Sequence, residues 1–221
     1  MARHLDRYFG MEGIEVRRWW RGQKEAAAEA LADCQVCWVL VSDSAIEPFI
    51  EGADFDCTFL HAAGGLVTSL AHGMHPLCTF GPEPYEREVY RQIPFVCDAS
   101  GPAFGELHPG LPNPSYQIRD EDRPLYHAAC VLGGNGSTLL WLAFLEVLER
   151  LGIPREAGIP YLERVGANVA RLGPDALTGP LARGDRETVR ANLEALRGEG
   201  MADVYRSLAR VAAPDLLENG K

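Results

Sequence analysis

Apolar and polar positions alternate along the first half of the chain in short blocks. Leu5, Tyr8 and Phe9 recur at helical spacing and predict a helix over Arg3–Met11, which Gly13 ends. Ile14–Trp20 then reads as a strand and Gln23–Asp33 as an Ala- and Glu-rich helix. Gln35–Val41 is the clearest buried strand, ending at Ser42-Asp43. Asp43 or Ser44 stands where a cap is needed for a short helix over Ala45–Ile50. Phe55–Leu60 is a second buried strand, ending at His61-Ala62-Ala63-Gly64. Leu77–Phe80 and Pro94–Cys97 follow as short strands, with a helix over Glu83–Arg91 between them. Strands apolar on both faces, alternating with helices, predict a parallel sheet covered by helices.

The texture changes after Gly110-Leu111-Pro112-Asn113-Pro114. A short strand, Ser115–Ile118, gives way to long helical patterns. The first starts at a capping Asp122 with Arg123-Pro124 just inside and runs to Leu151. Pro154–Leu172, Asp185–Leu196 and Met201–Val211 are the next three. The expected fold class is an N-terminal α/β domain with a parallel sheet, residues 1–118, followed by an all-α domain, residues 119–221.

Composition narrows the function classes. Hydrophobic residues make up 47% and aromatic residues 9%, which suits a globular chain. The net charge is −10, and residues 1–121 carry most of it, with 18 acids against 9 bases. Neither half offers the basic face that binding to nucleic-acid phosphates needs. No apolar run of residues approaches the roughly 20 that span a bilayer, and no leader-like start precedes a cleavage site. The six cysteines sit mostly in apolar runs, as reduced thiols do. The expectation is a cytoplasmic protein with neither membrane nor nucleic acid as partner.

Three segments hold candidate chemistry. His72-Gly73-Met74-His75-Pro76 places two histidines three apart, but no further ligand accompanies them and Gly and Pro suggest an extended loop. No metal site is therefore expected. His75 instead stands where a strand-end loop meets a ligand, or simply bonds backbone. Tyr126-His127-Ala128-Ala129 through Asn135 lies on a helix. At about 100° per residue His127, Val131, Gly134 and Thr138 share a stripe with Asn135 on its flank. Such a stripe serves a ligand or plain helix packing. The segment Thr178-Gly179-Pro180-Leu181-Ala182-Arg183-Gly184-Asp185 is a turn-rich connection before a helix carrying Thr188. Its backbone donors and Arg183 can meet an anion, or the segment can be a capped turn alone.

His75-Pro76-Leu77-x-Thr79-Phe80, Tyr126-His127-Ala128-Ala129 with Asn135, and Leu177-Thr178-Gly179-Pro180-x-Ala182-Arg183-Gly184-Asp185-x-x-Thr188-Val189 occur in this order and spacing. Together they resemble an uncharacterised bacterial family that joins a Rossmann-like NADP-binding domain to a helical domain of unknown function. The family is in the 6-phosphogluconate dehydrogenase-like superfamily and is similar in layout to pyrroline-5-carboxylate reductase. The resemblance implies an NADP-dependent oxidoreductase of a small carbonyl or imine substrate, dimeric through the C-terminal helices. His127 is the preferred acid/base, because it starts a rigid helix facing the expected cleft, with Asn135 and His75 beside the substrate and Thr178, Gly179, Arg183 and Thr188 as further substrate contacts. The better-known relatives often use a Lys–Asn pair there, and no lysine lies in this segment.

The cofactor set read from the strand ends is Arg21, Ser42, Asp43, His61 and Gly64. Arg21 in place of an acid after the second strand favours NADP over NAD. One departure stands out. No G-x-G-x-x-G turn occurs, and Met1–Leu5 reads as the inside of the helix that follows such a turn. The first strand and its glycines are thus expected to be missing, as in a truncated domain, leaving Arg3–Met11 part of its packing surface. The alternative function is a non-catalytic, dimeric Rossmann-like module that has lost cofactor binding.

Overall fold

The computed structural model describes residues 1–216 and divides into two compact units at Gly136/Ser137. Residues 217–221 of the expected helical domain lie outside the described residues.

The first unit is built on a five-stranded sheet in the order β1 (Val36–Val39), β2 (Thr58–His61), β3 (His72–Pro76), β4 (Phe95–Asp98), β5 (Ser115–Ile118). β1, β2 and β3 are parallel neighbours, and β4 and β5 are parallel to each other. The β3–β4 pair is antiparallel, so the all-parallel expectation is corrected there. Alternation along β1 sends Val36 and Trp38 into one core and Cys37 and Val39 into another, one on each face of the sheet.

Helix α1 (Ala2–Met11) fills the first core with Leu5, Tyr8 and Phe9. Its packing is complete rather than partial: His4, Leu5, Tyr8 and Phe9 are all buried. His4 Nδ1 bonds the Tyr90 hydroxyl at 2.9 Å, and the Tyr8 hydroxyl donates to Asn113 Oδ1. The Asn113 amide then donates to the carbonyls of Tyr90 and Ile93. Phe95 and Phe104 stack at 3.8 Å below them. α2 (Ala27–Leu31) and α3 (Ile46–Glu51) cover the other face through Leu31 and Ile46.

Several expected elements differ. Ile14–Trp20 is not a strand. A strand needs a neighbour for its backbone groups, and among the described residues the sheet ends at β1. Most of the segment is exposed, with Trp19 held by Phe49 and by the Glu25 carbonyl. The helix expected over Gln23–Asp33 shrinks to α2. The strand expected at Leu77–Phe80 lies earlier, at β3, so the His72–Pro76 segment is strand rather than loop. His72 and His75 consequently face different surroundings. A Cβ at Gly101 would stand 2.8 Å from His72 Nδ1, whereas His75 meets Tyr126. α4 (Arg87–Gln92) is shorter than expected, and α5 (Phe104–Leu107) lies in a stretch for which the sequence predicted no element. Neither Asp43 nor Asp122 makes a side-chain capping bond: Asp43 begins a 3₁₀ turn before α3, and Asp122 bonds Arg119.

The long helix predicted from Arg123 forms as α6 (Arg123–Val131), a π-helical turn at Leu132–Gly136, and α7 (Ser137–Arg150). The π turn adds a residue per turn and so breaks the phase that placed Asn135 beside the His127 stripe. The run Asp120–Arg150 spans 31 residues and is long and apolar enough, by length and composition, to cross a membrane. That corrects the expectation that no stretch reaches this length.

The second unit holds α7, α8 (Ile159–Leu172), α9 (Gly179–Arg183), α10 (Arg186–Ala195) and α11 (Met201–Ala212). Gly158 lets two of them close: a Cβ there would stand 2.7 Å from Leu145 Cδ2. The turn-rich segment before Asp185 is mostly helix α9, ended by Gly184 in the left-handed region at φ 70°.

Candidate active site at the strand ends

In a parallel sheet the carboxyl ends of the strands open towards a ligand. Here β1 delivers Ser42-Asp43, β2 delivers His61 and the Gly64-Gly65 pair, and β3 delivers His75. α6 brings Arg123, Tyr126 and His127 to the same place within the first unit.

Arg123 is the anchor. It is fully buried and lies against the Asp98 carboxylate of β4. Asp98 also accepts the Gly73 backbone N–H of β3, and Arg123 Nη1 reaches the Gly64 carbonyl at 3.5 Å. One guanidinium therefore ties α6 to two strands and the glycine loop. Gly73 must be glycine, because a Cβ would stand 2.7 Å from Arg123 Cζ and 2.8 Å from Asp98 Oδ1.

One helical turn along, His127 faces the glycine pair. A Cβ on Gly64 would stand 3.3 Å from His75 Nε2 and 3.4 Å from His127 Cγ. A Cβ on Gly65 would stand 3.3 Å from His127 Nδ1. The two histidines thus pack against one backbone wall, closely enough that neither glycine could carry a Cβ without a shift of the rings. His75 Nδ1 is 2.6 Å from the Tyr126 hydroxyl. A shallow apolar cavity of about 620 Å³ opens beside His127, lined by Gly65, Pro124, Ala128, Val131 and Leu132.

The electrostatics are set by burial. Enclosure, then the neighbouring His127 and Arg123, pushes His75 down to about 4. Asp43 opposes this shift. His61 is lowered by burial first and by Arg123 second. It is completely enclosed, and neither ring nitrogen makes a hydrogen bond of good geometry. His61 and His75 are therefore neutral near pH 7.

The other expected residues fall differently. Arg21 is exposed in a turn rather than at a strand end, because the strand before it does not form. Arg17 and Arg18 are each engaged in a surface ion pair, with Asp33 and Asp6. Asn135 sits exposed in the π turn, about two turns beyond His127. Thr178, Gly179, Arg183 and Thr188 lie in the second unit. There Thr188 closes a cap: its N–H and hydroxyl donate to Asp185 at 3.0 and 2.7 Å. Those two bonds, the backbone one foremost, hold the Asp185 carboxyl below its usual range. Thr178 is the N-cap residue of α9. A cavity of about 640 Å³ in this unit lies among residues 190–206, away from these four, with Arg197 and Arg206 paired to Glu194 and Asp203. Sequence reasoning missed Arg123, Asp98 and Tyr126. Only the adjacency of Tyr126 to His127 hinted at any of them.

A Rossmann-like α/β sheet with polar strand ends, followed by a helical region, defines the class. The chain belongs to the family described as Domain of unknown function (DUF2520), whose profile matches residues 100–212. Among solved structures it is similar to a Bacteroides fragilis protein titled "putative NADP oxidoreductase BF3122". The two share 21% identity and a TM-score of 0.75, over 96% of this chain and 94% of that one. It is also similar to protein TM1727 of Thermotoga maritima, at 22% identity and a TM-score of 0.63, over 81% and 76% of the two chains. At these identities the likeness establishes the fold. No curated protein matches the chain.

Ser42-Asp43 and Gly64 follow β1 and β2 at the carboxyl ends of the strands, where open α/β sheets bind ligands. The pyrophosphate cradle of a dinucleotide is not matched, because no glycine-rich turn leads from a strand into a helix start among the described residues.

Proposed function

We propose that the chain is an oxidoreductase of a small carbonyl or imine substrate, with its reaction centre at the Gly64-Gly65 wall between His75 and His127. The observation that carries this reading is the convergence of His61, His75, His127 and the buried Arg123–Asp98 pair on the carboxyl ends of β1–β3. Reduction of such a substrate builds negative charge on its heteroatom, which a positioned donor stabilises and an acid then protonates. His75, held neutral by burial, is suited to donate a hydrogen bond and not a proton. His127, at the same wall, is the group suited to move the proton. Arg123 and Asp98 hold the His127 helix against the strands. NADP is the proposed cofactor and supplies the hydride when bound. Arg21 would meet its 2′-phosphate and Ser42, Asp43, His61 and Gly64 its nicotinamide half.

Fluorescence titration tests the cofactor assignment. NADPH is expected to bind more tightly than NADH, and Arg21→Ala to narrow the gap by about 1–3 kcal/mol. Equal affinities in the unmutated protein would contradict it. The unmatched pyrophosphate end favours one other reading, a non-catalytic binding module. That reading predicts no measurable affinity for either nucleotide.

We also propose a homodimer through the C-terminal helices. Leu125, Leu132 and Leu139 are 73%, 73% and 66% exposed, with Trp141 and Leu142 beyond them. A membrane is disfavoured as the cover, because the same run carries Arg123, already buried against a sheet residue. Light scattering at micromolar concentration should give the mass of two chains, and Leu132→Lys with Leu139→Lys the mass of one. A monomer before mutation would rule the dimer out.

A further inference from the structure

The contact between Tyr126 and His75 bears on which nitrogen of His75 carries its proton. The hydroxyl and Nδ1 are 2.6 Å apart, and the rings meet edge-on with centroids 5.5 Å apart at 81°. A phenol has one proton to donate. Two acceptors compete for it here: His75 Nδ1 and the thiol of Cys130, one helical turn further on. An imidazole nitrogen is the stronger acceptor and thiol sulfur a weak one, so the proton points at Nδ1. Burial raises Tyr126, so it keeps that proton. A neutral imidazole whose Nδ1 accepts must carry its own proton on Nε2. Nε2 is the nitrogen that packs against Gly64, 3.3 Å from where a Cβ would stand.

We propose that Tyr126 locks His75 as the Nε2–H tautomer, and that this fixed donor selects a substrate presenting a carbonyl oxygen over one presenting an iminium nitrogen. The word substrate rests on the oxidoreductase reading; the lock itself does not. An N–H donor needs a lone pair opposite it. A carbonyl oxygen has two, whereas a protonated iminium has none and would bring a cation towards Arg123. His61, His127 and Asp43 complete the titratable surround of His75, and of these only Asp43 is an acid. Tyr126 is thus a positioning residue, acting through His75.

Nitrogen-15 NMR of the histidine side chains, on the full chain and without nucleotide, tests both parts. The probes are cyclohexanone and N-methylpyridinium, a planar cation with no free lone pair. His75 should show a protonated Nε2 and a bare Nδ1. Cyclohexanone should shift the Nε2 signal and N-methylpyridinium should leave it in place. Tyr126→Phe should average the two nitrogens and abolish the cyclohexanone response. A protonated Nδ1 in the unmutated chain, or an unchanged tautomer in Tyr126→Phe, would overturn the lock. No response to cyclohexanone, or a larger one to the cation, would overturn the selection. If the variant does not fold, the unmutated tautomer still decides the lock. A failure of the cofactor reading appears separately, in the NADPH titration.

Discussion

Arg123→Met should lower folding stability by about 3–5 kcal/mol, the usual effect of leaving one charge of a buried pair without its partner. Asp98 would be stranded with its side chain only 12% exposed. Asp98→Asn should be milder, because an amide oxygen still accepts from the Gly73 N–H. Asp98→Leu combined with Arg123→Met removes both charges, and such replacements in other proteins are close to neutral. Here the double variant should recover only part of the loss, since Gly73 N–H then has no acceptor, a deficit of about 1–3 kcal/mol. Urea unfolding of these variants, and of Asp98→Leu alone, checks this. Additive losses in the double variant would mean that the two side chains do not act as a pair.

Acid should loosen the fold before most carboxylates titrate. His75 has a folded value of about 4, and burial lowers His61 and His108 as well. Their unfolded values lie near about 6.5. Between those limits the unfolded chain takes up protons that the folded chain refuses. Stability is therefore full above about pH 6.5 and falls as the pH drops towards 4. Each tenfold weakening of a buried ring's proton affinity on folding corresponds to about 1.4 kcal/mol of that loss. His108 adds a specific loss: Trp38 Nε1 donates to its Nε2 at 3.2 Å, and protonation removes that acceptor. Urea midpoints measured across this range should fall steadily, and less steeply in His75→Gln. A flat profile down to about pH 4.5 would contradict the burial of these rings.

Elements with strong local signals were legible in the sequence. Ser115–Ile118 forms as expected, and Asp185 caps α10 through Thr188. The helices of the second half follow their apolar spacing closely. Misreadings arose where a distant partner decides the outcome. Ile14–Trp20 has strand character but no neighbour to pair with among the described residues. Gly73 and Pro76 looked like breakers of a loop, yet Gly73 is small because Arg123 and Asp98 occupy the space of its side chain. Arg123 was placed only as a residue just inside a helix start. Its partner stands 25 residues away in a different apolar run, which no local pattern reveals. His61 and His75 were legible as candidates at expected strand ends, and His127 on a helical stripe. Their neutral state was not, since burial is a property of the whole packed unit.

The six histidines supply a direct footprint of the proposed site. Three of them, His61, His75 and His127, surround the Gly64-Gly65 wall, while His4 and His108 lie in the aromatic core against α1. Nitrogen-15 NMR of the full chain during NADPH addition therefore places the nucleotide without any knowledge of the substrate. The account predicts progressive shifts at His75 and His127, a smaller one at enclosed His61, and none at His4 or His108. NADPH that leaves His75 and His127 unmoved at saturating concentration would contradict a hydride-transfer centre at the strand ends.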